Sequence, residues 1–306
     1  MEARVDVETL SIKQLRELII SAGLSHADCV EKSDLKTRAL EAQRRLELAA
    51  ASSPAPATRS SGAGTTRDVT LAGYECSLQE PAGDQGASRA PDLLIIILHG
   101  FGATNSDFAS VPSGLAGELC RVKRVAWLFP QAEAGGSMGA TQWWELDAMK
   151  WMMAAQAGGD ALAALIREEP KGLKEARERL KSMVEEATKL VGIALDRVVL
   201  AGFSQGAMTA MDLALELEGN VAAVSMLSGA PIVVDQWAAK LKRHKGVKVF
   251  ISHGMSDPVL PFAASGWCKA LLEQGGAQVS YHTHGGGHEI GGTTAQPLVE
   301  FWAGLV

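Results

Sequence analysis

Residues 197–206, Arg-Val-Val-Leu-Ala-Gly-Phe-Ser-Gln-Gly, constrain the fold most: an apolar run of strand character passes through Gly202-Phe203-Ser204-Gln205-Gly206 directly into a helical stretch. A serine on so sharp a strand-to-helix turn holds its hydroxyl exposed above a sheet, and the flanking glycines allow close backbone passage and strained dihedrals. Ser204 is therefore a candidate nucleophile. The bare G-x-S-x-G spacing is not selective, because Gly135-Gly136-Ser137-Met138-Gly139 fits it too. Ser137 has no apolar strand before it and no helical period after it, so context sets it aside.

From about residue 67 onward, apolar strand-like runs alternate with helical stretches. Strands are expected at 93–98, 125–129, 198–201, 221–227, 247–252 and 279–282, with an early antiparallel strand over 69–78. Helices are expected around 105–119, 173–191, 205–218, 235–243 and 262–274. This is the alternation of an α/β protein with a mainly parallel central sheet, whose crossovers bring the loops after the strands to one edge.

Residues 47–66 are rich in Ser, Pro, Ala, Gly and Thr and poor in large apolar groups, which marks a flexible linker. Before it, Ser11 precedes Ile12, Leu15, Leu18 and Ile19 at helical spacing, Gly23 supplies a stop, and Ser33 caps a second helix through Leu35 and Leu40. The expected organisation is a small helical module at 1–46, a linker at 47–66 and an α/β domain at 67–306. The run Ser25-His26-Ala27-Asp28-Cys29-Val30-Glu31-Lys32-Ser33-Asp34-Leu35 resembles SAP-like helical modules. Relatives of that module often bind DNA, but residues 1–46 carry eight basic and eight acidic side chains, a poor electrostatic footprint for nucleic acid. A protein partner for residues 1–46 is the better expectation.

Composition narrows the class further. A length of 306 residues that is 47% hydrophobic can build a sizeable core, and a net charge of −6 offers no surface for nucleic acid or anionic lipid. The scattered cysteines Cys29, Cys76, Cys120 and Cys268 fit a reducing, cytoplasmic setting rather than a disulfide framework. Neither a secretory signal nor a membrane-spanning run is evident.

A serine hydroxyl attacks only when an imidazole removes its proton, and the imidazole needs an acid to fix its tautomer. Downstream of Ser204, Asp257 lies just past an apolar strand in His253-Gly254-Met255-Ser256-Asp257-Pro258-Val259, whereas Asp212 and Asp235 fall in helices. His288 follows Gly285-Gly286-Gly287 at the end of the last strand and is the preferred base over His282 and His284 on that strand. The three histidines lack a nearby carboxylate cluster, so no metal site is expected. His26 with Cys29 likewise supplies too few ligands for structural zinc. His253 is expected to shape the acid loop. Backbone N–H groups of Gln205, directly after the nucleophile, and of Phe101, in Leu98-His99-Gly100-Phe101-Gly102, are the candidate oxyanion donors.

Taken with Phe129-Pro130-Gln131-Ala132, Gln142-Trp143-Trp144-Glu145-Leu146, Leu227-Ser228-Gly229 and Gly287-His288-Glu289, these segments resemble the phospholipase/carboxylesterase family that contains the acyl-protein thioesterases. The resemblance spans about 92–303 and implies an α/β-hydrolase that cleaves carboxylic esters or thioesters, including lysophospholipids and S-acylated proteins, without a cofactor. Ser204, Asp257 and His288 match that family's triad, and Phe101 and Gln205 its oxyanion positions. Residues 145–170 form a longer apolar, partly helical insertion than the family pattern, and Ala103 stands where thioesterase members frequently have an acidic residue. Trp144, with Trp151, Met152 and Met153 of the insertion, is a candidate contact for an acyl chain; the competing role for the insertion is plain helix packing. The resulting expectation is a serine esterase or thioesterase with a tethered module. The alternatives are a lysophospholipase, or a catalytically silent hydrolase fold serving as an interaction protein.

Overall fold

The computed structural model describes residues 7, 15, 35–40, 43, 65–81, 90–114, 116–135 and 139–305, with backbone alone for 148, 152, 155 and 156. The chain forms two compact units, Met1–Ser61 and Gly62–Val306. In the first, residues 35–40 are helical, as the spacing after Ser33 predicts, with Leu35 and Ala39 buried. Ser11, Gly23, His26, Cys29, Ser33 and nearly all of the 47–66 segment lie outside the described residues, and so does Ser137.

The second unit is built on one eight-stranded sheet in the order β1-β2-β4-β3-β5-β6-β7-β8. Its strands are β1 (Thr65–Leu71), β2 (Tyr74–Glu80), β3 (Leu93–Leu98), β4 (Val125–Pro130), β5 (Val198–Phe203), β6 (Ala223–Leu227), β7 (Lys248–Gly254) and β8 (Gln278–His284). β1 and β2 pair antiparallel, β2 joins β4 antiparallel, and every pairing from β4 to β8 is parallel. The central strands read as continuous apolar runs because both faces are covered. All six residues of β3 are buried, and they alternate between two cores. Leu94, Ile96 and Leu98 join one with Leu180, Met183, Met208 and Met211, whereas Leu93, Ile95 and Ile97 join the other with Leu119, Leu298 and Trp302.

The helices of this unit are α1 (Gly117–Val122), α2 (Ala148–Ala157), α3 (Gly159–Leu165), α4 (Leu173–Val191), α5 (Gln205–Ala214), α6 (Val234–Leu241), α7 (Phe262–Gln274) and α8 (Ala295–Ala303). α4 occupies the span its periodicity predicts. Leu173, Ala176, Leu180, Met183, Val184 and Ala187 form its buried stripe, and left-handed Gly172 and Gly192 bound it. Among the described residues, no helix is long and apolar enough to cross a membrane.

Two local expectations are corrected, and one helix is added to them. The single strand over 69–78 is a hairpin, folded at Ala72 (φ 47°) and Gly73 (φ 80°), the two left-handed residues of a tight turn. Alanine hides that turn in sequence, and here its N–H is held by Glu186 Oε2 at 2.7 Å. The helix over 105–119 divides into a 3₁₀ turn at Asn105–Phe108 and the short α1, because Pro112 and Gly114 interrupt the run. The terminal helix α8 was not expected, and Pro297 sits in its first turn, where a missing N–H costs nothing. The mainly parallel sheet flanked by helices is the α/β-hydrolase architecture.

Candidate active site

Ser204 sits between β5 and α5 at φ 54° and ψ −120°, a conformation that disfavours a side chain. Its N–H donates to Leu227 O at 2.9 Å, anchoring the turn to β6. The two glycines of the turn are fixed by contact. A Cβ on Gly202 would lie 2.3 Å from the Gly206 carbonyl, and one on Gly206 would lie 2.0 Å from Leu98 O. Helix α5 therefore packs backbone to backbone against the end of β3, which leads into the Phe101 loop.

Three residues far apart in sequence meet at this edge. His288 Nε2 lies 2.8 Å from Ser204 Oγ, and His288 Nδ1 lies 2.7 Å from Asp257 Oδ2. The Asp257 side chain is fully buried and that of His288 is 16% exposed, so solvent reaches the imidazole and not the carboxylate. Burial alone would raise the Asp257 pKa. Hydrogen bonds from His253, His288 and the Leu260 N–H outweigh that burial and hold the carboxyl well below the usual carboxylate range. Asp257 Oδ1 accepts from the N–H groups of Val259 and Leu260, each at 2.8 Å. His253 Nε2 lies 3.3 Å from Asp257 Oδ2 and 2.9 Å from Leu260 O.

The loop carrying His288 is pinned on several sides. Ser228 Oγ donates to Glu289 O at 2.8 Å, Met255 N–H donates to His284 O at 2.8 Å, and Ser256 N–H donates to Gly286 O at 3.1 Å. A Cβ on Gly254 would stand 2.1 Å from Gly287 O, so glycine is required where β7 passes beneath this loop. The Phe203 ring tilts against the His288 imidazole with centroids 5.0 Å apart. His282 and His284 stay outside the Ser204–His288–Asp257 chain. His282 faces Thr293, and buried His284 accepts from Gly286 N–H through Nδ1.

The Phe101 loop is held by contacts that the sequence did not predict. His99 is fully buried. Its Nδ1 lies 2.8 Å from Gly100 O and its Nε2 accepts from Ala132 N–H at 3.0 Å, which defines a neutral imidazole with the proton on Nδ1. Burial pushes its pKa down, in keeping with that neutral form. Gly102 N–H donates to Thr141 O at 2.8 Å. The Gln205 side chain, also fully buried, accepts from Trp143 N–H at 3.2 Å and donates to Trp144 O at 2.8 Å. Trp143 Nε1 donates to His99 O at 2.8 Å and Trp144 Nε1 to Thr209 Oγ1 at 3.0 Å. One buried network thus connects the Phe101 loop, the Ser204 turn and the tryptophan segment.

A cavity of about 1230 Å³ opens beside Phe101, lined among others by Trp144, Leu146, Trp151, Leu165 and Ile232. Part of its wall is the insertion, which folds as a hairpin of α2 and α3 broken at Gly158 (φ 98°). Trp151, Ala154, Leu162 and Leu165 bury into the main core, so the hairpin is a packed part of the domain. Met153 is 62% exposed and lines an adjoining groove of about 510 Å³ that shares Met149, Lys150 and Leu165 with the cavity. The Met152 side chain lies outside the described ones. Asp212 lies in α5, where it takes a two-point hydrogen bond from Arg177 at 2.7 and 2.9 Å and a third from Trp237 Nε1 at 2.8 Å. Asp235 starts α6 and pairs with Arg167. Among the described residues, no group of three or more His, Cys, Asp or Glu could hold a metal ion.

The fold and the serine at its sharp turn define the class, a serine hydrolase of α/β-hydrolase architecture. Residues 85–304 match the Phospholipase/Carboxylesterase family, and the chain belongs to it. It is 25% identical to acyl-protein thioesterase 1 of Neurospora crassa over 198 residues, 63% of this chain and 79% of that protein. Against acyl-protein thioesterase 1 of Debaryomyces hansenii the identity is 26% over 202 residues, covering 63% and 82%. Among solved structures, a carboxylesterase from Mesorhizobium loti matches with a TM-score of 0.58 at 19% identity, covering 78% of this chain and 99% of the other. Arabidopsis thaliana SOBER1 matches with a TM-score of 0.55 at 18% identity, covering 69% and 97%. These structural likenesses speak to the fold.

Proposed function

We propose that Ser204 is the nucleophile, His288 the general base and acid, and Asp257 the group that orients His288, in the hydrolysis of a fatty acyl thioester or ester. The observation that carries this reading is the unbroken relay of 2.8 Å from Ser204 to His288 and 2.7 Å from His288 to Asp257. With Asp257 ionised, the His288 proton sits on Nδ1 and the Nε2 lone pair faces the serine hydroxyl. Ser204 Oγ forms a bond to the acyl carbonyl carbon as its proton passes to Nε2, and the carbonyl oxygen takes the negative charge. The Gln205 N–H, at the first position of α5, has no intrahelical acceptor and stands at the positive end of the helix, which suits it to that oxyanion. The Phe101 N–H is the second donor. Collapse expels the thiol or alcohol with the proton from Nε2, and water then releases the acid through the same steps in reverse order.

The cavity beside Phe101 is lined by charged groups such as Lys150 and Glu168 as well as apolar ones, and its apolar side supports an acyl chain as the bound group, with Trp144 and Trp151 as its contacts. The activity named for the fungal relatives supports a thioester carried on a protein. Residues 1–46 would then recruit a protein partner, raising the local concentration of substrate without touching the chemistry. Cys76, Cys120 and Cys268 are free thiols, which supports a reducing, cytoplasmic setting. The test is kcat/KM on matched S-acyl peptides, acyl oxygen esters and a lysophospholipid, for wild type and Ser204→Ala. Preferred turnover of the S-acyl peptide, lost in Ser204→Ala, is expected. Preference for the lysophospholipid would move the assignment to a lysophospholipase.

A further inference from the structure

We infer that His253 is a positioning residue for the acid of the relay, an inference that rests on the Ser204–His288–Asp257 reading. Asp257 occupies a short loop after β7, where the Val259 and Leu260 N–H groups hold Oδ1 and leave Oδ2 to side-chain donors. His253 belongs to β7, where it is paired in register with Thr283 of β8, and it is fully buried. Its Nε2 faces two acceptors, Leu260 O at 2.9 Å and Asp257 Oδ2 at 3.3 Å, and an atom facing two acceptors must carry the proton. One N–H is therefore shared between both ends of the 257–260 loop, tying that loop to strand β7.

The second ring nitrogen sharpens the point. His253 Nδ1 is buried with no hydrogen-bond partner, an arrangement that leaves an acceptor unsatisfied. A side chain there for packing alone would not need that polar atom, since an apolar group of the same size avoids the cost. What distinguishes histidine is the rigid ring that delivers Nε2–H to Asp257 Oδ2. That oxygen has two lone pairs, and with one engaged by His253 the other is aimed at His288 Nδ1. The Val259 and Leu260 N–H groups hold Oδ1 at 2.8 Å each, and His253 completes the rotational hold from the Oδ2 side and, through it, the setting of the imidazole ring that must face Ser204.

The decisive comparison is between His253→Met, of similar volume without the donor, and His253→Gln, whose amide N–H can reach the place of Nε2–H. On a short soluble ester, His253→Met should lower kcat by about 10- to 100-fold with KM unchanged, the range seen when a residue that orients an active-site ligand is lost. His253→Gln should stay within about fivefold of wild type, because it restores the donor. Wild type and Ser204→Ala are run alongside. Wild-type turnover that persists in Ser204→Ala overturns both readings, whereas Ser204-dependent turnover with full kcat in His253→Met overturns this one alone. Equal losses in Met and Gln variants of equal melting temperature also overturn it, since that pattern reports packing. A measurement on the unaltered protein stands beside these: 15N-histidine NMR should find the His253 proton on Nε2 and slow to exchange, and a proton on Nδ1 would overturn the inference.

Discussion

Replacing Gly206 with alanine tests whether the nucleophile turn depends on backbone contact with β3. The added Cβ would stand 2.0 Å from Leu98 O and 2.6 Å from His99 O, while real Cβ contacts stay beyond 3.0 Å. At least about 1 Å must therefore open between α5 and the end of β3. Neither side can yield by turning a side chain, because the obstacles are carbonyls, and Leu98 is paired with Gly202 in the sheet. The movement separates the N-terminus of α5, with Ser204 and Gln205, from the strand that leads to Phe101. A misplacement of about 1 Å at reacting groups costs on the order of 10²-fold in rate, and overpacking costs about 1–3 kcal/mol of stability. Gly206→Ala should therefore remain folded, unfold at lower denaturant, and lose about 10²-fold in kcat/KM. Gly266→Ala on α7 is the control: its Cβ meets nothing within 4 Å. That variant should keep activity within about twofold and gain up to about 1 kcal/mol from helix propensity. Full activity in Gly206→Ala, or an equal loss in Gly266→Ala, would refute the reasoning.

Ser204→Gly and Ser204→Ala should both abolish turnover, but chemical denaturation should find the glycine variant more stable by about 1 kcal/mol, since φ 54° and ψ −120° strain any side chain; the opposite order would deny that strain. Asp257 is ionised in the folded protein at pH values where the unfolded carboxyl, near pKa 4, takes up a proton. Its contribution is thus complete above about pH 5 and falls away as pH drops toward its depressed folded value, so wild type should lose more stability than Asp257→Asn between about pH 5 and pH 3. Parallel melting curves over that window would contradict the assignment. Trp151→Leu should lower kcat/KM for long acyl chains by about tenfold and spare acetyl esters, since each buried methylene contributes about 0.8 kcal/mol. A loss equal across chain lengths would identify Trp151 as a packing residue alone.

The central strands and the sharp turn at Ser204 were legible because their signals are local. Leu93–Leu98 and Val198–Phe203 are uninterrupted apolar runs, and Ser204 stands between two glycines where the second run meets a helical stretch. The placement of Asp257 and His288 beside Ser204 was legible from position, each in a loop directly after a parallel strand. The Ala72–Gly73 turn was hidden because an alanine occupies a left-handed position that Glu186, on a distant helix, helps to hold. The same limit applies to His99 and the side chain of Gln205. Their partners Ala132, Trp143 and Trp144 lie up to 62 residues away, and no spacing in one dimension announces such pairs. Among the insertion's apolar residues, Trp151 turns inward and Met153 outward, a division that helix period permits but that only packing decides.

The central claim is that Ser204 forms the acyl-enzyme. The direct measurement is the site of covalent attachment of a fluorophosphonate, mapped by peptide mass spectrometry in the full-length protein. One adduct is predicted, on the peptide containing Ser204, absent in Ser204→Ala, unaffected by Ser137→Ala, and strongly slowed in His288→Ala. An adduct on Ser137 or another residue, or ester turnover that survives Ser204→Ala, would contradict it.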